Sequence, residues 1–369
     1  MNPDQQQRWM CNVETPRRHA NLVSASHSSQ LHARHLDLSP LASHRQRNST
    51  APLRAGASTM SHLANPLATR SQLYLRSELS PLPQDVEESV FIATQCLTQA
   101  AGQLLRYSQA VTAQANVILA RYWLVASPME HEFSQDLSAA AIYLIGKLGP
   151  KPRAPRDVAN VYAYLLSDAP DSALFRTDQS AKAVDAESCY CAEADYFDFS
   201  KRLMALEHRI CVALSFDTHV SLPHPIAITY LQTFHFFSRP KSEASLRTMQ
   251  YLNTALLSPQ MLYLTHQPHA LAVAAIYNAA RDLGAKLPEC AWWEVFDVDR
   301  EELGFLVVAM RSLEGLLRKR KEEFPEFRQR MLTRDMVEKK LEQDGRPLPR
   351  KEGAMADEEA AIMRRMDQR

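Results

Sequence analysis

The sequence predicts an all-α protein, and three observations carry that prediction. Between about residues 81 and 317 the apolar residues recur every three or four positions, the period of a helix with one buried face, and no stretch alternates in the two-residue period of a strand. The whole chain holds nine glycines, few for a protein of strands and tight turns. AAIYLIGK at Ala140–Lys147 also recurs as AAIYNAAR at Ala274–Arg281, an offset of 134 residues. Solenoids repeat every 20 to 50 residues or so, so this offset indicates duplication of a whole helical domain.

In chain order, residues 1–78 are rich in Ser, His, Arg, Gln and Asn and poor in aromatics, and they are expected to be disordered. The histidines in this region lack metal-site spacing, and Met60 is a second candidate start. Pro81, Pro83 and Asp85 start a first helix that carries Val90, Phe91, Leu97 and Leu104 inward. Ser108 caps a second over Gln109–Leu124. The third, about Phe133–Leu148, holds Ala139, Ala140 and Ala141 for close approach and Ile142, Leu144 and Ile145 to fill gaps, so it belongs in the centre of a bundle. Gly149, as a left-handed cap, and Pro150 stop it. A fourth helix spans about Arg156–Leu166, residues 168–198 read as an exposed loop, and a fifth helix covers Tyr196–Leu214. A second set follows: Ile226–Phe237, Ser242–Leu257, Pro268–Leu283, a short piece at Trp292–Phe296, and Arg300–Leu317. From about Arg318 mixed charges at helical spacing predict a solvated helix or flexible tail.

Composition bounds the function. Lysine plus arginine equals aspartate plus glutamate at 42 each, so no bulk charge is laid out to cover phosphates, and direct nucleic-acid binding is not expected. Six cysteines form no paired CxxC, and Cys189 with Cys191 makes a lone CxC, so no metal or cofactor is expected. With no signal peptide and no apolar run of about 18 residues, the chain is expected to be intracellular and off the membrane. A phosphate-binding glycine loop, HExxH, GxSxG and a kinase signature are all missing, so no catalytic residue is assigned.

Spacing alone offers one candidate site. On a 3.6-residue period Leu144, Lys147 and Leu148 share one side of the third helix, which sets an ammonium between two apolar groups.

Two five-helix repeats, a third helix ending in lysine and a fifth reading LEHRICVALSFD together resemble a cyclin over about Leu82–Leu317. QAAGQLLRYSQAV, RDVANVYAYLL and PHPIAITYLQ are most similar to cyclin L, in the transcription-associated branch and its fungal members. The resemblance implies cyclin boxes at 79–221 and 222–317 and a cyclin-dependent protein kinase as partner. It implies kinase contacts by Lys147, beside Leu144 and Leu148, and by Glu207, which has Cys211 one turn on along the fifth helix. A buried charge without a partner costs about 3–5 kcal/mol, so the two charges either satisfy each other or wait for a second protein. It further implies a non-catalytic regulatory subunit in the nucleus, acting on transcription or RNA processing and meeting that machinery. Leu148, Gly149 and Pro150 stand where many cyclins follow the lysine with two acids, and no substrate-docking hydrophobic motif appears around Val111–Leu124. The alternative on the same fold is a transcription factor IIB-like promoter-binding protein. That family has an N-terminal zinc ribbon, whereas this N-terminal region holds Cys11 alone.

Overall fold

The structure is a computed structural model that describes residues 63–126, 136–166, 190–233, 242–323 and 333–346. Among these residues there is no strand. The helices are α1 (Arg70–Leu79), α2 (Gln84–Leu104), α3 (Gln109–Trp123), α4 (Ser138–Leu148), α5 (Pro155–Leu166) and α6 (Glu193–Ala213). Then come α7 (Pro223–Thr233), α8 (Ser242–Ala255), α9 (Leu262–Thr265), α10 (Pro268–Asp282), a 3-10 turn at Trp292–Phe296, α11 (Arg300–Glu323) and α12 (Arg334–Gln343).

Two helices rich in alanine organise the packing. Ser138–Gly146 of α4 is buried throughout, and α4 is packed by α2, α3, α5 and α6. Its copy α10 is packed by α7, α8, α9, α11 and the 3-10 turn. Small side chains at 139–141 and at 270, 272, 274 and 275 let neighbours approach closely on several sides, which one apolar stripe could not do. The two sets meet through α3 and α9. Across the same junction Gln109 donates to Asn253 Oδ1 at 2.9 Å, and Arg121 holds the segment that leads into the second set by donating to the His219 carbonyl at 2.9 Å.

The starts and stops follow local chemistry. Ser108 Oγ accepts the Val111 N–H, as a helix cap should. Gly149 ends α4 in an extended conformation, φ −79° and ψ 175°, and not in the left-handed one expected. Pro150 follows it, and the ring of a proline pushes the preceding residue out of helical space into the extended region.

Two expectations are corrected. Residues 63–79 are not disordered: Thr69 and Gln72 form a reciprocal capping box that opens α1. Asn65 is buried, donates to the Ser221 carbonyl at 2.8 Å and accepts the Ser221 N–H at 2.7 Å, while Gln267 brackets its backbone at 3.0 Å on both sides. The charged tail is not merely solvated either. Val337 and Leu341 of α12 are fully buried, four residues apart on one face, and α11 runs on to Glu323. Both ends converge on the start of α2: Arg76 pairs with Glu87 at 2.8 Å, Arg320 with Glu88 at 2.6 Å, and Arg346 reaches Asp85 at 3.9 Å. The expectations for residues 1–62, for most of the 168–198 loop and for 347–369 lie outside the described residues, although α6 already begins at Glu193.

Candidate functional site

The end of α4 meets the middle of α6. Lys147, in the last turn of α4, forms an ion pair with Glu207, whose carboxylate is buried to nine-tenths, while the lysine side chain stays 41% exposed. Its ammonium also lies over the Tyr143 ring, 5.6 Å from the centroid, so the cation is held by a ring face as well as by the carboxylate. Cys211 follows Glu207 by one turn and is half-buried. Burial and then the Glu207 charge push its thiol up, with Lys147 offsetting part of this, so it stays protonated and is a packing group rather than a nucleophile.

The two leucines part company. Leu144 is 2% exposed and belongs to the core, so it supports α4 from within and presents nothing to a partner, contrary to the shared surface the spacing predicts. Leu148 is 60% exposed. It is the last residue of α4, beyond which the chain turns away at Gly149 and leaves that side uncovered.

Sequence reasoning missed two further exposed apolar groups, at the end of α6 and just beyond it. Val212 and Phe216 are 52% and 68% exposed. Ser215 and Phe216 both adopt positive φ, 52° and 61°, and the Phe216 N–H closes the end of α6 on the Cys211 carbonyl at 2.7 Å. Non-glycine residues pay about 1–2 kcal/mol each for this conformation. Strain of this kind, spent on holding an aromatic ring in water, points from structure towards use. The signal in the sequence was an aromatic residue after the helix with no glycine to make the turn.

Among the described residues no group of three His, Cys, Asp or Glu is placed to hold a metal ion, and no helix is long and apolar enough to cross a membrane.

The copy in the second set is built differently. Arg281, which aligns with Lys147, is exposed and has no ion-pair partner among the described residues. Asp282 instead accepts from Tyr251 at 2.7 Å, Arg247 at 2.8 Å and Arg311 at 3.1 Å, which ties α8, α10 and α11 together.

No protein-family model matches the chain. An uncharacterised cyclin-L1-like protein of Schizosaccharomyces pombe is 30% identical over 214 residues, 58% of this chain and 78% of that protein. Human cyclin-L2 is 29% identical over 262 residues, 67% of this chain but 46% of the human protein, so the chain matches less than half of that longer relative. Among solved structures, a chain of the yeast RNA Pol II CTD kinase CTDK-1 complex superposes with a TM-score of 0.52 at 14% identity, covering 67% of this chain and 72% of that one. At that identity the likeness speaks for the fold.

Proposed function

The chain belongs to the cyclin family, in its cyclin-L branch, and on that premise we propose that it is a regulatory subunit that binds and activates a cyclin-dependent protein kinase in RNA polymerase II transcription or RNA processing. It acts in the nucleus and performs no catalysis itself, and its two cyclin boxes span 79–221 and 222–317. The observation that carries this reading is the Lys147–Glu207 pair, a buried carboxylate joined to a half-exposed ammonium at the rim between α4 and α6. Leu148 at the end of α4, Cys211 one turn from Glu207 on α6, and Val212 and Phe216 at and just beyond the end of α6 are apolar side chains that this part of the fold leaves wholly or partly exposed.

Such a surface activates by shifting a population. A kinase's regulatory helix samples positions in which its lysine and glutamate are joined or apart, and a partner that packs on the joined position alone favours it. Moving that equilibrium from rarely active to mostly active takes about 5.5 kcal/mol of differential binding. Burial at about 25 cal/mol per Å2 of apolar surface supplies this from the exposed side chains, before the costs of association. The ion pair opens towards backbone groups of the kinase, so the buried Glu207 keeps hydrogen-bond partners in both states.

The test is to express the tagged chain with Lys147→Glu and identify the proteins that co-purify. The expected result is loss of a co-purifying kinase by ~100-fold, the scale of a broken charge pair in an interface, with helical content intact. Unchanged recovery of the kinase would overturn the reading.

A further inference from the structure

Positive charge gathers at one corner beyond this surface. From Lys147 to Arg156 the chain reads KLGPKPRAPR, with four cations and no anion. Lys147 is taken by Glu207, and the next carboxylate, Asp157, accepts the Ala154 N–H at 3.3 Å. Pro150, Pro152 and Pro155 restrict the backbone of this connection, so its main chain loses less freedom on meeting a ligand.

The corner is completed by a second connection. Arg153 Nε donates to the Leu105 carbonyl at 3.0 Å, which lays its guanidinium on the turn between α2 and α3. The next residue on that turn is Arg106, exposed and held at φ 56°. Tyr107 then presses so close to Gly146 that a Cβ there would stand 2.2 Å from its hydroxyl, which fixes the turn against the end of α4. Arg106 and Arg153 thus come from two connections to one turn, Lys151 stands two residues before Arg153, and none of the three has an ion-pair partner among the described residues. Asp157 is close enough to the same turn for its charge to act on Tyr107. Arg156, three residues on from Arg153, lies over the Tyr196 ring of α6, 4.8 Å from its centroid.

We propose that this corner docks a phosphorylated serine or threonine of a partner polypeptide. A phosphate group brings nearly two charges and three acceptor oxygens, which suit guanidinium forks and an ammonium held on stiff backbone. Nucleic acid would need basic groups along a track several phosphates long. The chain as a whole is neutral and the cluster spans one turn and one short connection. The site uses side chains other than Lys147 and Glu207 and does not depend on the kinase reading.

The test is fluorescence anisotropy on the full chain at about 0.15 M salt with three probes: a short neutral peptide carrying one phosphoserine, its unphosphorylated twin, and a short single-stranded RNA. The phosphopeptide is expected to bind at least ~10-fold tighter than its twin and tighter than the RNA. The double substitution Arg106→Glu, Lys151→Glu is expected to abolish that preference while melting and kinase co-purification stay unchanged. If the reversals lower the melting point, Arg106→Gln with Lys151→Gln replaces them. Equal binding of both peptides, tighter binding of RNA, or a variant that binds as wild type would overturn the proposal, as would joint loss of the phosphopeptide and the kinase. Lys147→Glu is expected to keep the phosphopeptide, so the two readings fail separately.

Discussion

The AAIY helix occurs twice, and its two copies end in opposite ways. At the end of α4 a cation reaches the rim, a buried carboxylate answers it from α6, and Leu148 is left in water. At the end of α10 the position of Leu148 is held by Asp282, which gathers Tyr251, Arg247 and Arg311 from within its own bundle, while Arg281 points to solvent. Both copies keep the buried alanines, which packing demands. The last turn is free to differ, and one copy has closed its end while the other has left an apolar rim with a charge pair in it. Duplication of a fold therefore does not duplicate its surface: the body of the helix is constrained by its neighbours, and its final turn is where use is written.

That contrast can be attacked from its largest consequence downward. Leu341→Ala, which empties a fully buried site in the helix that closes the C-terminal side, is expected to cost about 2–5 kcal/mol by denaturant unfolding while kinase co-purification survives. A near-zero cost would return α12 to the solvated tail the sequence predicted. Asp282→Ala removes the acceptor shared by three donors and is expected to cost about 1–3 kcal/mol, again with the kinase retained. Loss of the kinase at wild-type stability would mean that the second copy also faces a partner.

The same carboxylate predicts a pH dependence. Burial alone would raise the Asp282 carboxyl, but hydrogen bonds from Tyr251 and Arg247 and the charges of Arg247 and Arg311 outweigh it and hold it below the ordinary value. A depressed carboxyl contributes stability that is present above the unfolded aspartate value of about 3.9 and lost as pH falls through the lower folded one. Asp282→Asn should therefore flatten the acid limb of urea midpoints measured from neutral pH downwards, and an unchanged limb would contradict the network. Smallest of all, Arg281→Ala is expected to change stability by under ~0.5 kcal/mol and leave the kinase bound, since its side chain is exposed.

Much of this was legible in residue spacing. The alanine-rich helices, the cap at Ser108, the duplication and the face that carries Lys147 follow from periodicity and local chemistry, while Glu207 was singled out by the resemblance to a cyclin. What escaped depends on contacts far apart in the chain. Asn65 looks like any polar residue until Ser221 and Gln267, more than 150 positions away, complete its hydrogen bonds. Val337 and Leu341 are two apolar residues among charges, too few to raise a helical period above the noise, yet both are fully buried. Leu144 and Leu148 share a face by spacing, but burial changes between them because the helix stops. Phe216 escaped because its exposure comes from a left-handed turn that no glycine announced.

The exchange of charges, Lys147→Glu together with Glu207→Lys, tests the central claim most directly, with thermal melting and kinase co-purification measured on the same preparation. The account predicts that the rebuilt pair returns stability to within about 0.5 kcal/mol of wild type while the kinase stays lost, because the partner meets each charge on the wrong helix. Recovery of the kinase along with stability would contradict it and leave the pair as an internal tie.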